Sequence, residues 1–526
     1  MKTSKIFLMS AMVLSAFGLQ SCLDYDTPSD EFQKETTIVT PPTISTGKAD
    51  SINYNVEITE NMYQNAYKRL RSQLGTALTG IYSIRGGKEG GKPEAHAYQF
   101  QFCLGPDNYV QYSCVPHSDF PYSNAELKST YHLSKGFNGG PGGGFSACKT
   151  CIAPVLNNGD LDSIPELKAA YLLLYNYAAV ENADLFGPMP YNDFKKNREE
   201  SPFTYNDVRT IYYSAKANID SCVAAFKHFQ ARPDWYKDKV IKNIFINRLP
   251  LIKNVEVYEA EGMQPWIEFA NSLKLRMAIH LAKVEPETAK EWAEAAVRDG
   301  VINSTSHEFA LYASVLGFDH PLVQVSEWGD SRLGASFCSM LESLDHPYVK
   351  YLFKKNTEAI EKTGNKGSAP KTTPAESAVI GMRDGTVPGI GQSAGTNSYI
   401  SFSKLDNQYM NSHFPPCYFM KLSEVCFLRA EGALRGWNMG GSAQQFYEEG
   451  IRNAYLEDRD MSDIKYKDML EDYMNVTKAK DYTYVDPTGN TEDMPSVTKI
   501  PVKWDNSLDN EKKLEMIITQ KYIASF

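Results

Sequence analysis

Beyond its first twenty or so residues the chain lacks any uninterrupted apolar run of about 18 residues, which leaves no later candidate for a membrane-spanning helix. It also lacks a basic surplus. Lys+Arg number 54 against 64 Asp+Glu, a formal net charge of -10. An acidic chain without a basic cluster repels phosphate backbones, and this excludes nucleic acid as a partner. Histidine is scarce, with nine in 526 residues, and no H-E-x-x-H occurs; Leu311 stands where a second histidine would follow His307-Glu308. Cysteine offers one metal-like spacing, Cys148-Lys-Thr-Cys151, but no second C-x-x-C or H-x-x-x-H completes a zinc set. In an exported protein this pair reads as a short disulfide or two core thiols. Glycine-rich GGKEGGKPE has no Gly-Lys-Ser/Thr and therefore no phosphate cradle. Acidic residues are so numerous that carboxylate pairs at glycosidase spacing arise by chance and identify nothing. No cofactor, metal or enzyme is required by any of these features.

What is present begins with a leader. Lys2 and Lys5 form a basic start, Ile6–Leu19 is apolar, and Leu19-Gln20-Ser21-Cys22 resembles a bacterial lipobox. This predicts a signal peptide over 1–21 and acylation of Cys22. Several acyl chains would hold the body stably at a membrane, since each buried CH₂ is worth about 0.8 kcal/mol and one chain alone is marginal. Loss of the two leader lysines takes the charge from -10 to -12. The acidic stretch LDYDTPSDEF after Cys22 resembles the surface-export signal of some Gram-negative lipoproteins. Residues 22–58, rich in Thr, Pro and Ser, read as anchor and flexible tether. A single domain is expected over 59–526.

Helical periodicity dominates that domain. Trp266, Phe269, Ala270, Leu273, Met277 and Leu281 share one face, and Leu275, Ile279 and Ala282 add a second stripe. Pro286 suits the first turn of a following helix, whose small residues Ala289, Ala293 and Ala296 flank Trp292 before Gly300 ends it. Similar pairs occur at 164–229 and 420–455, the last with a Ser442/Gln445 capping box. The spacing predicts a mainly α, tetratricopeptide-like helical-hairpin scaffold with long loop-rich insertions and little β. The insertions are 84–147, with a strand-like AYQFQF, and 305–415. Aromatics make up 12% of the chain, which suits either an aromatic-rich core or surfaces that grip flat ligand faces.

Five stretches in order carry a family resemblance: Asp184-Leu-Phe-Gly-Pro-Met-Pro-Tyr191, Trp266 with Phe269-Ala-Asn-Ser-Leu-Lys-Leu-Arg-Met-Ala278, Ala295-Ala-Val-Arg-Asp-Gly300, Leu422-Ser-Glu-Val-Cys-Phe-Leu-Arg-Ala-Glu-Gly432 and Ile517-Ile-Thr-Gln-Lys-Tyr522. Together with the lipobox they resemble a SusD/RagB outer-membrane lipoprotein of the second SusD-like subgroup. The family usually runs on past its Gln-Lys-Tyr motif into a segment with a Trp and paired arginines, so the stop at Phe526 reads either as a truncated gene product or as an incomplete sequence. The resemblance implies a non-catalytic, surface-exposed lipoprotein of a Gram-negative outer membrane. It would capture an oligosaccharide or polysaccharide and deliver it to a SusC-like TonB-dependent transporter. Peptide capture by the same architecture is the first alternative, and a surface glycan hydrolase the second. Aromatic residues on loops would stack on sugar rings, and the candidates are Tyr109, Tyr112, Phe120, Tyr122, Tyr131 and Trp328. Asn271, Lys274 and Arg276 read as structural, because they sit inside a buried hairpin.

Overall fold

The computed structural model describes residues 50–83, 95–117, 149–200, 202–312, 321–368, 372–387, 391, 393–406, 416–456 and 464–526. Eight helices carry most of the packing: α1 (Glu60–Ser83), α2 (Pro165–Phe186), α3 (Val208–His228), α4 (Gln264–Leu281), α5 (Pro286–Asp299), α6 (Leu422–Leu434), α7 (Ala443–Leu456) and α8 (Asn510–Ala524). Strand is confined, among the described residues, to four two-stranded antiparallel pairs. The architecture is mainly α with little β, as the periodicity predicts.

Three antiparallel hairpins, α2/α3, α4/α5 and α6/α7, stack side by side, with α4 touching both neighbouring pairs. Helices α2 and α4 are buried on nearly every side; α2 is apolar for most of its length, whereas α4 also buries Glu268, Asn271, Ser272 and Lys274. Trp266 anchors the centre. Its ring is fully buried among Phe226, Phe245, Phe269 and Phe309, and its indole N–H donates to the Tyr258 hydroxyl at 3.0 Å. Burying an aromatic of this size contributes a few kcal/mol only when its polar atom is also satisfied, and here it is. Pro286 opens α5, and Gly300 closes it in the left-handed region at φ 96°. At the α6/α7 crossing Gly450 is required, because a Cβ there would lie 2.7 Å from the Phe427 ring. The helix α7 start is capped as expected on one side only. Ser442 accepts from the Gln445 N–H at 3.1 Å, but the Gln445 side chain turns forward to Glu449 at 3.0 Å.

Two expectations need correction. The tether does not extend to residue 58: Ile52 and Ile58 are core residues, and Arg232 donates to the carbonyls of Tyr54 and Val56, both at 2.8 Å. The same guanidinium pairs with fully buried Glu166, which also accepts from the Tyr236 hydroxyl. Each polar group is answered, so the segment is docked rather than free. AYQFQF is helical instead of extended, with one α turn over Ala95–Tyr98 and a π-helical turn over Gln99–Cys103. Cys151 is a buried free thiol, and Cys148 lies outside the described residues. Helix α8 packs on α6 and α7, and Phe526 rests against Tyr112, Phe337 and Phe353. Contacts group Gly47–Phe526 into one compact unit.

Candidate functional site

Short elements far apart in sequence build the region around Trp328. Pro106 starts a one-turn helix, Pro106–Tyr109, since its ring suits a first helical turn. The backbone then crosses into the Ser113–Cys114 strand, which pairs with Arg332–Leu333. Gly334 is needed at this crossing: a Cβ would lie 2.2 Å from the Gln111 carbonyl oxygen. That pairing brings the helix Pro321–Trp328 beside the Ala95–Cys103 turns. Asp330 locks the two together, accepting from Gln99 Nε2 at 2.7 Å and meeting His117 Nε2 at 3.0 Å.

Trp328 is half-buried and packs with Tyr98 and Leu322 over Ala95, Cys103 and Val325. It ends a helix, where the sequence reading had a loop. Tyr109 is 55% exposed on the neighbouring turn. Tyr112 is different. Its ring is enclosed, stacked on Tyr522 at 4.6 Å and edge-on to Phe337, and its hydroxyl donates to the Tyr522 carbonyl. Its ring is therefore not exposed for a sugar to stack on, which corrects its candidacy. Phe120, Tyr122, Tyr131 and Cys22 lie outside the described residues.

A small cleft runs beneath these aromatics, lined in part by Cys103, Asp107, Ser331, Arg332 and Lys404. Burial pushes the Asp107 carboxyl up to about 7 and the adjacent Cys103 thiol well above its usual range. Burial likewise pulls Arg332 down to about 10, and burial together with Arg332 lowers the Lys404 ammonium. Arg332 donates to the Ile400 carbonyl at 2.6 and 3.1 Å and to that of Gly329; Lys404 donates to the Glu327 carbonyl at 3.3 Å. The void measures about 50 Å³, room for a water or two and too little for a sugar ring. A ligand here would lie across the aromatic rim. Asp107, Arg332 and Lys404 went unnoticed in the sequence, where more than 200 positions separate the first from the others.

One serine spacing needs comment. Gly391, Ser393 and Gly395 fit G-x-S-x-G, yet the Ser393 carbonyl closes a turn on Thr396 and Asn397 at 3.1 and 2.9 Å. That turn leads into the one-turn helix Ser398–Ser401, whereas a nucleophile elbow opens onto a full helix. Among the described residues no group of three or more His, Cys, Asp or Glu side chains could hold a metal ion. No described helix is long and apolar enough to cross a membrane.

In the hairpin scaffold, Asn271 donates to the carbonyls of Asp299 and Gly300 at 3.2 and 2.9 Å. Arg276 forks onto Glu424 at 2.6 and 2.8 Å and reaches the Phe419 carbonyl. Both are structural, as expected.

Comparison with known proteins matches this architecture. Solved structures superpose along most of the chain. A SusD homolog from Flavobacterium johnsoniae described as chitin-binding shares 24% identity at TM-score 0.66, covering 86% of this chain and 83% of its own. A SusD-like protein from Bacteroides thetaiotaomicron gives 24% and 0.64 with the same coverage. A SusD homolog from Bacteroides ovatus gives 25% and 0.63, covering 87% and 83%. No curated protein matches. The SusD-like family, described as Susd and RagB outer membrane lipoprotein, matches residues 51–526, and this chain belongs to that family.

Proposed function

We propose that the protein is a non-catalytic capture subunit, tethered through acylated Cys22 to the outer face of the outer membrane. It binds oligosaccharide or polysaccharide and passes it to a SusC-like TonB-dependent transporter. The observation that carries the reading is the aromatic rim: half-buried Trp328 packed with Tyr98, and exposed Tyr109 on the adjoining turn. A flat apolar ring covers the C–H face of a pyranose while the sugar hydroxyls stay paired with water or polar groups. Family membership and a chitin-binding structural relative support a glycan as the ligand. Phe120, Tyr122 and Tyr131, from the adjoining segment, complete the proposed set.

The test is calorimetric titration of the chain against chitin oligosaccharides, other polysaccharides and peptides, with the mixtures assayed for released product. Saturable heat with one glycan class and no product is expected. Product release would overturn the non-catalytic reading, and binding to peptides alone would replace the ligand. Co-purification with a large TonB-dependent outer-membrane barrel tests the partner.

A further inference from the structure

A roomier cavity lies away from the aromatic rim. It opens between the first two hairpins, holds about 390 Å³, and shares no lining residue with the cleft below Trp328. That volume falls within the range of small-molecule sites, on the order of 300–1,000 Å³. Helix α3 lines one wall with Lys216, Asp220 and Lys227, which recur at helical spacing. Lys274 of α4 forms the floor, and Trp292 and Arg298 of α5 face α3.

Lys274 is the informative group. Its side chain is 3% exposed, and among the described residues its ammonium meets one acceptor, Asp220 Oδ1 at 2.8 Å. An ammonium has three N–H donors, so two are left at the floor of the cavity without a protein acceptor. Leaving donors of a buried charge unanswered costs more than an ordinary hydrogen bond contributes, so an occupant with oxygen acceptors is favoured. On the same helix, Asn271 spends its amide N–H donors on the carbonyls of Asp299 and Gly300, and Arg276, two residues beyond Lys274, forks onto Glu424.

Charge accounting narrows the occupant. Asp220 is held by Lys216 and Lys274, both at 2.8 Å, and Asp299 lies beside Arg298 at 3.3 Å. Four cations and three carboxylates line the cavity, counting Glu291, an excess of one positive charge. A single negative charge suits that field, while a phosphate near -2 would be repelled by the carboxylates. The remaining carboxylate oxygens can accept from hydroxyls. We infer that this cavity is a second binding site, for a hydroxyl-rich monocarboxylate of monosaccharide size, a sugar acid. Its carboxylate sits against Lys274 and Lys227 and its hydroxyls against Glu291 and Asp299.

The experiment titrates the full chain, purified in detergent, with sodium D-glucuronate, D-glucose and N-acetylglycine. Glucuronate should bind saturably and at least tenfold more tightly than either control. Lys274→Met should weaken it at least tenfold. Because that change strands Asp220, Lys227→Ala, which breaks no ion pair among the described residues, provides an independent variant; it should weaken glucuronate several-fold with an unchanged melting temperature. Trp328→Ala should leave glucuronate binding intact while weakening neutral glycans. Equal affinity for glucuronate and glucose, or no effect of either lysine variant, overturns the site. Equal affinity for N-acetylglycine overturns the sugar-acid assignment. Loss of glucuronate binding in Trp328→Ala places it at the aromatic rim and overturns the proposal, whatever the fate of the capture reading.

Discussion

The hairpin scaffold and the aromatic rim treat their aromatic and polar groups in opposite ways. Within the scaffold Trp266 is sealed and its N–H bonded, and Glu166, Arg232 and Tyr236 answer one another completely. At the rim Trp328 and Tyr98 are partly exposed and Tyr109 is exposed. An interior whose groups answer one another in this way gives rigidity, whereas a surface with apolar area left over has free energy to gain from a ligand. The difference separates residues that hold the protein together from the residues proposed to bind the glycan.

The sharpest way to break that contrast is to exchange effects between the regions. Trp266→Ala should cost about 3–5 kcal/mol of stability, the usual range for emptying a buried aromatic site, with any loss of glycan affinity explained by unfolding. Chemical denaturation followed by fluorescence measures it. Arg232→Met comes next. It strands Glu166 in the core and releases the carbonyls of Tyr54 and Val56, at about 3 kcal/mol. Proteolysis should then cut near residues 50–58 before the rest of the chain. An unchanged melting temperature in either variant would erase the contrast between scaffold and rim.

The hairpins were legible because their signal is local. Apolar residues at spacings of three and four, Pro286 at a helix start and Gly300 at its end specify α4 and α5 without reference to the rest of the chain. AYQFQF alternates as a strand would, but its turns pack against the Pro321–Trp328 helix, and that distant contact decides the conformation. Tyr112 failed as a candidate for the same reason: its ring is covered by Tyr522, which a window of neighbouring residues cannot reveal. Lys274 was read with Asn271 and Arg276 as one structural group. Their partners separate them, and partners across a helix interface leave no trace in periodicity.

At the rim the effects should fall on binding. Trp328→Ala should weaken the preferred glycan by roughly 1–3 kcal/mol, the scale of losing one large aromatic contact at a binding hot spot. Its melting temperature should move less than that of Trp266→Ala, because the Trp328 ring is only partly buried whereas that of Trp266 is sealed. Calorimetry and a thermal melt on the same preparation separate the two. A large drop in stability with affinity intact would show that Trp328 belongs with the scaffold.

Asp107 gives the smallest and most diagnostic effect. Its carboxyl is held near 7 by burial, while in the unfolded chain it titrates at about 4. Between those values the folded protein keeps a proton that the unfolded chain has lost. Stability from this group is therefore present at low pH and drains away as pH rises through that window. Asp107→Asn removes the ionisation, so relative to the natural chain it should gain stability between pH 5 and pH 8. The residue keeps some exposure, which limits the gain to roughly 1–2 kcal/mol. A ligand that spans the rim and further dries the cleft would raise the carboxyl again and take up protons on binding. Calorimetry near pH 7 in buffers of different ionisation enthalpy should detect that uptake in the natural chain and not in Asp107→Asn. Equal proton uptake in both would remove Asp107 from the binding surface and leave Trp328 and Tyr109 as its only support.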